Sequence, residues 1–219
     1  MLRLGDVNGN PYVGVFCAAS ENLAIVPETI EKSITRSIEE VLHVEVVCTN
    51  IAGSILVGSL LAMNSNGVVA TNLAESKELK KLPNGLNVVH MQEKINAAGN
   101  NLLVNDNGAC VHPATTKKAL ERIQDALGVE VQKRTIGGIE TVGSAGICTG
   151  KGLVCHPSTS EDELRELSEL FKVPAVLGTL NYGTPFVGAC AVANSKGAFV
   201  GSRTTPIEMG RLEDGLYLF

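Results

Sequence analysis

One pattern of apolar and polar positions recurs five times along the chain. Each copy predicts an apolar strand, a tight turn, a returning strand, a helix with apolar residues at helical spacing, and a last strand. The predicted turns, which recur every 41–45 residues, are Glu21-Asn22, Asn66-Gly67, Asn107-Gly108, Lys151-Gly152 and Lys196-Gly197. Asn-Gly is typical of tight hairpins because both residues readily adopt a positive φ.

Two series of glycines share this period. The first is Gly9, Gly53, Gly99, Gly138 and Gly183. The second lies five residues later, at Gly14, Gly58, Gly143 and Gly188, and the third copy has Val104 there. A third marker follows each turn by five residues, at Pro27, Asn72, Pro113, Pro157 and Ser202. These markers predict five repeats of about 44 residues, with boundaries near 9–52, 53–98, 99–137, 138–182 and 183–219.

Local patterns predict the elements of each repeat. Opening strands are predicted over 57–63 and 186–193, returning strands over 67–71 and 198–201, and last strands over 44–49, 129–132 and 173–177. Helices, opened by the third marker, are predicted around Ile34, Ile38 and Val41, around Leu120, Ile123 and Leu127, and around Leu164, Leu167 and Phe171. Ser160 and Glu163 match a capping box. Pro83-Asn84-Gly85 predicts that the second helix is short.

The first residues of the chain resemble a last strand. Residues 1–7 precede Gly9 as residues 44–51 precede Gly53, while the fifth repeat runs out at Phe219 soon after its helix. We therefore expect residues 1–8 to close a ring, which removes exposed sheet edges. The sequence predicts one α/β domain over 1–219, built of five blades without a linker.

Composition excludes several classes of protein. The chain carries 18 Lys and Arg against 23 Asp and Glu, a formal net charge of −5, and it has no Trp. This balance argues against a groove for nucleic acid and against direct DNA binding. An acidic total is still compatible with a local basic patch. No run reaches the roughly 18–20 apolar residues of a membrane span. The N-terminal residues do not resemble a signal peptide, so we expect a cytoplasmic protein.

The cysteines, histidines and Lys-Gly turns that could form a functional site each have a simpler structural explanation. The six cysteines contain no C-x-x-C pair, so we expect buried apolar side chains and no metal site. Cys190 lies in an apolar strand, which favours packing over a nucleophile. His112-Pro113 and His156-Pro157 are equivalent positions just before predicted helices, so repetition explains them. Lys151-Gly152 and Lys196-Gly197 are expected at solvated hairpin tips. The sequence therefore predicts no catalytic residue, cofactor or metal.

Several distinct motifs, in order along the chain, resemble the translation initiation factor 6 family. They are residues 51–58 (IAGSILVG), 98–101 (AGNN), Asn105-Asp106, 142–144 (VGS), 150–157 (GKGLVCHP) and 187–197 (VGACAVANSKG). The resemblance covers essentially the whole chain. It implies the pentein fold, a five-bladed α/β propeller with pseudo-symmetric repeats around a central axis, in agreement with the repeats above. Because the chain ends soon after the fifth helix, without the long C-terminal extension of eukaryotic members, an archaeal type is expected.

The resemblance also implies a function. Members bind the large ribosomal subunit on its intersubunit face, prevent the small subunit from joining and act in large-subunit biogenesis. Their main partner is an L14-type ribosomal protein near the sarcin–ricin loop, and a monomer is expected. The family's docking positions match this chain at Gly58, Ser59, Gly99 and Asn100, where Ser59 replaces an arginine frequent in eukaryotic members. We take Ser54 as the equivalent of Asn100 in the second repeat; alternatively, Asn100 only caps a turn.

An enzyme is the alternative class. Penteins include guanidine-modifying enzymes that use a Cys nucleophile with His and acidic partners. Those enzymes carry long insertions that shape a central pocket, and five bare repeats in 219 residues leave little chain for them. The resemblance therefore favours the binding factor. The recurring glycines serve either close packing or a flat surface for a partner.

Overall fold

The computed structural model describes residues 1–219 and contains five three-stranded sheets. In chain order the elements are β1 (Leu2–Gly5), α1 (Val13–Phe16), β2 (Ala18–Ala19), β3 (Leu23–Val26), α2 (Lys32–Leu42), β4 (Glu45–Cys48), α3 (Val57–Leu60), β5 (Leu61–Met63), β6 (Gly67–Thr71), α4 (Ser76–Leu79), β7 (Asn87–Met91), α5 (Ala98–Asn101), β8 (Leu102–Val104), β9 (Gly108–Val111), α6 (Lys117–Leu127), β10 (Glu130–Lys133), α7 (Val142–Ala145), β11 (Gly146–Cys148), β12 (Leu153–Cys155), α8 (Glu161–Phe171), β13 (Ala175–Leu177), α9 (Val187–Cys190), β14 (Ala191–Ala193), β15 (Ala198–Gly201) and α10 (Pro206–Leu216).

All five sheets have the same topology. An antiparallel hairpin supplies two strands, and a third strand runs parallel to the second. In four sheets a crossover helix leads to the third strand, and in the fifth this strand is β1 from the start of the chain. We call the sheets, each with its helices, blades one to five; they are β2-β3-β4, β5-β6-β7, β8-β9-β10, β11-β12-β13 and β14-β15-β1. The mixed α/β arrangement of five such blades confirms the fold class that the sequence and the resemblance predicted.

The blades form a closed ring. Strand β1, the N-terminal strand that the sequence predicts, pairs in parallel with β15 and so completes blade five. Each one-turn helix contacts the next, from α1 to α3, α5, α7 and α9, and α9 contacts α1 again. The apolar core lies between neighbouring blades, because the long helix of one blade packs on the sheet of the blade before it. In α2, for example, Ile38, Val41 and Leu42 are fully buried against a cluster that includes Phe199 of blade five.

The prediction of the opening strands is wrong in their first halves. Residues Val57–Leu60 and Val187–Cys190 form one turn of helix, and the strands cover only Leu61–Met63 and Ala191–Ala193. A short apolar run does not distinguish a buried strand from a buried helical turn. Contact with the equivalent turns of both neighbouring blades decides the conformation here.

The glycines after the hairpin turns have a different role from the one predicted. None of them has a positive φ. A Cβ on Gly67, Gly108, Gly152 or Gly197 would lie 2.0–2.3 Å from a backbone oxygen near the end of the next blade's long helix. Blade one has Leu23 at this position because α4, the helix that follows it around the ring, has only four residues. The short second helix was predicted, and it explains why one repeat lacks this glycine.

The third marker does not open the helices. Pro27, Asn72, Pro113, Pro157 and Ser202 lie in turns, and the helices begin four or five residues later. The helix caps are Thr116, Ser160 and Thr205, whose side chains each accept a backbone N–H of the first turn. The capping box of Ser160 and Glu163 is present as predicted.

Candidate functional site

A ring of five glycines surrounds the axis of the molecule. They are Gly14, Gly58, Gly99, Gly143 and Gly188, one in each of α1, α3, α5, α7 and α9. A Cβ on any of them would lie 1.8–2.1 Å from the backbone oxygen of the glycine before it, and the series closes because Gly14 approaches Gly188. Any other residue at these positions would force the helical turns apart, so the close packing itself demands glycine.

This ring corrects the assignment of Gly99. It belongs with Gly58 in the second glycine series, and Val104 is not the equivalent of the ring glycines. The residue after each ring glycine therefore shares one structural position, so Asn100 corresponds to Ser59 and not to Ser54. Helices α3 and α5 are in contact, which brings Gly58, Ser59, Gly99 and Asn100 together at the axis. The sequence places Gly14, Gly143 and Gly188 in one series with Gly58, but it does not place Gly99 there.

We call the surface formed by α1, α3, α5, α7 and α9 the ring face. Its rim carries Tyr12, Leu56 and Phe186, which are 40%, 40% and 38% exposed and hold equivalent positions just before three of these helices. These three residues belong to blades one, two and five, which are neighbours in the ring. The ring face thus has glycines at its centre and three exposed apolar side chains at its edge.

The side chain of Asn100 makes no hydrogen bond within the protein. The neighbouring Asn101 makes the turn contacts instead, because its Nδ2 donates to the backbone oxygens of Ala97 at 2.9 Å and Ile95 at 3.4 Å. Ser59 also lacks a side-chain partner, whereas Ser144 donates to the backbone oxygen of Thr141 at 2.7 Å. Two half-buried polar side chains on adjacent blades are therefore free to bond to another molecule.

A small cavity of about 110 Å³ lies on the axis, and the five ring glycines and Asn100 are part of its lining. Its lining is mostly glycine and apolar residues and includes the thiols of Cys17 and Cys148, but no carboxylate, imidazole, lysine or arginine. At the end of the axis opposite the ring face, hydrogen bonds join the hairpin turns of neighbouring blades. Asn64 donates to the backbone oxygen of Asn105 at 3.3 Å, and Asn105 donates to that of Thr149 at 3.0 Å. The lining supplies no acid–base pair.

Five thiols are held in their neutral form by burial. Burial raises the pKa of Cys110 and of Cys190 to about 12, and it also raises the pKa of Cys17, Cys148 and Cys155. The expectation that all six are buried is wrong for Cys48, which is exposed on the outer strand of blade one, and Cys148 is half-buried. No group of three or more His, Cys, Asp or Glu side chains is arranged to hold a metal ion.

The paired histidines have a structural role in their turns. His112 Nδ1 accepts the backbone N–H of Ala114, and His156 Nδ1 accepts that of Ser158, both at 3.1 Å. They precede turns, and not helices as predicted. Lys196 is likewise not a purely solvated tip residue, because its Nζ donates to the backbone oxygens of Glu21 at 2.6 Å and His43 at 3.3 Å. Each of these side chains thus holds backbone in place.

No helix has the length and apolar character that crossing a bilayer requires.

The chain is similar to known proteins over nearly its whole length. The family model for the eIF-6 family matches residues 2–215. Translation initiation factor 6 of Thermoplasma acidophilum is 42% identical over 216 residues, covering 99% of this chain and 100% of that protein. The factors of the same name from Methanosarcina mazei (41% identical, covering 99% and 98%) and Pyrococcus horikoshii (37%, covering 96% of each) are also similar. The chain belongs to the eIF-6 family.

Proposed function

We propose that this protein is a translation initiation factor that binds the large ribosomal subunit through the ring face and thereby prevents association with the small subunit. The observation that carries the proposal is the pair Ser59 and Asn100, whose half-buried side chains lie on adjacent blades and make no hydrogen bond within the protein. The partner is an L14-type ribosomal protein near the sarcin–ricin loop, contacted around Gly58, Ser59, Gly99 and Asn100. The protein acts as a cytoplasmic monomer and takes part in large-subunit biogenesis.

The mechanism is steric. The ring glycines lock five helical turns together, so the face is rigid before it meets its partner and little ordering entropy is lost on binding. The formal net charge of −5 suits docking on a ribosomal protein better than docking on RNA. No nucleotide or metal is required, because a bound body of 219 residues on the intersubunit face excludes the small subunit by its volume.

Sedimentation with purified subunits tests the activity. We expect the protein to sediment with isolated large subunits only, and to reduce the joining of the two subunits without nucleotide hydrolysis. Equal binding to small subunits would contradict the proposal, and so would unchanged joining at saturating protein.

Two substitutions at neighbouring residues test the site. Asn100→Ala should weaken large-subunit binding roughly tenfold, about 1–2 kcal/mol, and leave the free energy of unfolding nearly unchanged because the side chain has no internal bond. Asn101→Ala should do the reverse: it removes the turn contacts and costs stability, while affinity per folded molecule is retained. If Asn100→Ala lowers stability and spares affinity, the docking site lies elsewhere.

A charge-matched pair tests the extent of the face. Ser59→Glu should weaken binding more than Asn100→Ala because it places a charge in the centre of the interface. Gln124→Glu adds the same charge at an exposed position of α6 outside the ring face, and it should bind as the unmodified protein does. Equal loss in both variants would show a general effect of charge instead of a local contact.

The alternative, a guanidine-modifying enzyme with a Cys nucleophile, requires a thiolate with imidazole and carboxylate partners in the axial pocket. The axial cavity contains neither partner, and burial keeps Cys17 and Cys148 protonated by raising their pKa. Turnover of a guanidino compound by the purified protein would favour the enzyme over the binding factor.

A further inference from the structure

A second cavity, of about 160 Å³, lies outside the ring face, between the end of β7 and the start of α6. We call it the β7–α6 cleft. Its polar lining is His90, Gln92, Thr116, Lys118 and Arg122, and no carboxylate is among the lining residues. The chain as a whole has more acidic than basic side chains, with a formal net charge of −5. The lining of this cavity shows the opposite balance, with two cationic side chains and no acid.

The two cations of the cleft are not paired with acids. Neither Lys118 nor Arg122 forms a salt bridge, although the adjacent Lys117 lies 3.9 Å from Glu121. Arg122 Nη1 donates to Gln92 Oε1 at 2.8 Å, which holds the guanidinium in place against β7 and leaves its other N–H groups free. The cleft therefore presents an oriented guanidinium and an ammonium on one helix face, since Lys118 and Arg122 are four residues apart.

Two further groups border these cations. His90 Nδ1 lies 3.2 Å from the backbone oxygen of Thr71, which only accepts, so Nδ1 donates there and Nε2 of the neutral ring is an acceptor without a partner within the protein. The nearby acid is Glu93, but its carboxylate accepts the N–H and the hydroxyl of Thr116 and so caps the start of α6. Thr116 thus holds the Glu93 carboxylate at the helix end, and Glu93 forms no salt bridge with Lys118 or Arg122.

We propose that the β7–α6 cleft binds a phosphate group. A tetrahedral anion with several acceptor oxygens matches a planar guanidinium, an ammonium and a side-chain amide that converge from two elements. The group belongs either to a free phosphate compound or to the phosphodiester backbone of RNA, and both present the same chemistry. Strand β7 leads directly into α5, so the cleft lies on the segment that carries Gly99 and Asn100 to the axis.

The first test titrates the full chain with inorganic phosphate at constant ionic strength and follows backbone amide signals by NMR. Saturable shifts are expected at His90, Gln92 and Lys118, and not at the ring glycines. Arg122→Gln should weaken this response about tenfold or more, because the oriented guanidinium is lost. Lys117→Gln is the matched control: it removes one charge from the same helix outside the cleft and should change binding by less than about twofold.

A second arm identifies the source of the phosphate. A short single-stranded RNA that binds more tightly than inorganic phosphate, and loses its affinity with Arg122→Gln, assigns the cleft to an RNA backbone. Binding of phosphate without RNA binding assigns it to a free phosphate compound. If neither probe gives a saturable response, or if Lys117→Gln weakens binding as much as Arg122→Gln does, the proposal is wrong. Asn100→Ala should leave the phosphate response unchanged, so this test is independent of the ring face.

Discussion

The amino group of Met1 donates a hydrogen bond to the backbone oxygen of Leu218, 217 residues away in sequence, with the two atoms 3.1 Å apart. The backbone oxygen of Met1 in turn accepts the N–H of Ala198 at 3.0 Å. Blade five is therefore assembled from both ends of the chain, and its third strand is present only when residues 1–7 have folded onto β15.

Deletion of residues 1–7 should destabilise the whole protein. It removes the β1–β15 pairing and the fully buried Val7, and we expect a loss of about 3 kcal/mol or more in the free energy of unfolding. Urea denaturation measures the loss. Deletion of Phe219, which is 84% exposed, is the control and should have little effect. Rapid amide exchange throughout Leu2–Gly5 in the intact protein would contradict the ring closure.

Gly99→Ala should be strongly destabilising because its Cβ would lie 1.8 Å from the backbone oxygen of Gly58. We expect a cost of about 3 kcal/mol or more, measured by chemical denaturation. Gly210→Ala is the matched control, since this helical glycine has open space around its Cβ position. That substitution should stabilise the protein by up to about 1 kcal/mol through helix propensity. Equal effects at the two positions would mean that the close approach in the ring is not required.

Glu78 should make stability depend on acid pH. Burial alone raises the pKa of its carboxyl, but the backbone N–H groups of Glu75, Gly53 and Ala52 outweigh burial and hold the pKa below its usual range. Because the folded pKa lies below the unfolded value of about 4.3, the stabilisation is complete above that value and is lost as the pH falls through the folded pKa.

Glu78→Gln should therefore cost about 1–3 kcal/mol at neutral pH and progressively less in acid. Thermal denaturation between pH 7 and pH 3 measures the difference between the variant and the unmodified protein. Glu208 holds the equivalent turn at Tyr182 and Gly183 in blade five, so Glu208→Gln should behave in the same way. A difference that stays constant over this range would exclude the linkage.

Alkylation should modify one thiol quickly and five slowly. Cys48 is exposed, whereas burial raises the pKa of each of the others, including the half-buried Cys148. Mass spectrometry after brief treatment with iodoacetamide at pH 7.5 should show a single adduct, which Cys48→Ser abolishes. A second fast adduct in Cys48→Ser would reveal an activated thiol and support the enzyme alternative.

The sequence alone determined the features that depend on neighbouring residues. The five-fold repetition, the hairpins, the amphipathic helices around Ile38, Ile123 and Leu167, and the short second helix all follow from local periodicity and from breakers such as Pro83. These features depend on spacing within about a dozen residues, which the chain displays directly.

Only the tertiary structure decided which positions meet across blades. Whether residues 57–60 form a strand or a helical turn depends on the adjacent turns at the axis, and the same contact assigns Gly99 to the ring with Gly58. Gly67 is required by the end of α6, which lies more than 50 residues away in sequence. At the equivalent position blade one has Leu23, because the helix facing it, α4, has only four residues. The tertiary structure likewise decides that the side chain of Asn101 bonds to the backbone of its own turn, whereas the side chain of Asn100 has no partner. No local pattern encodes these distances, because they arise only when five separate copies pack into one closed ring.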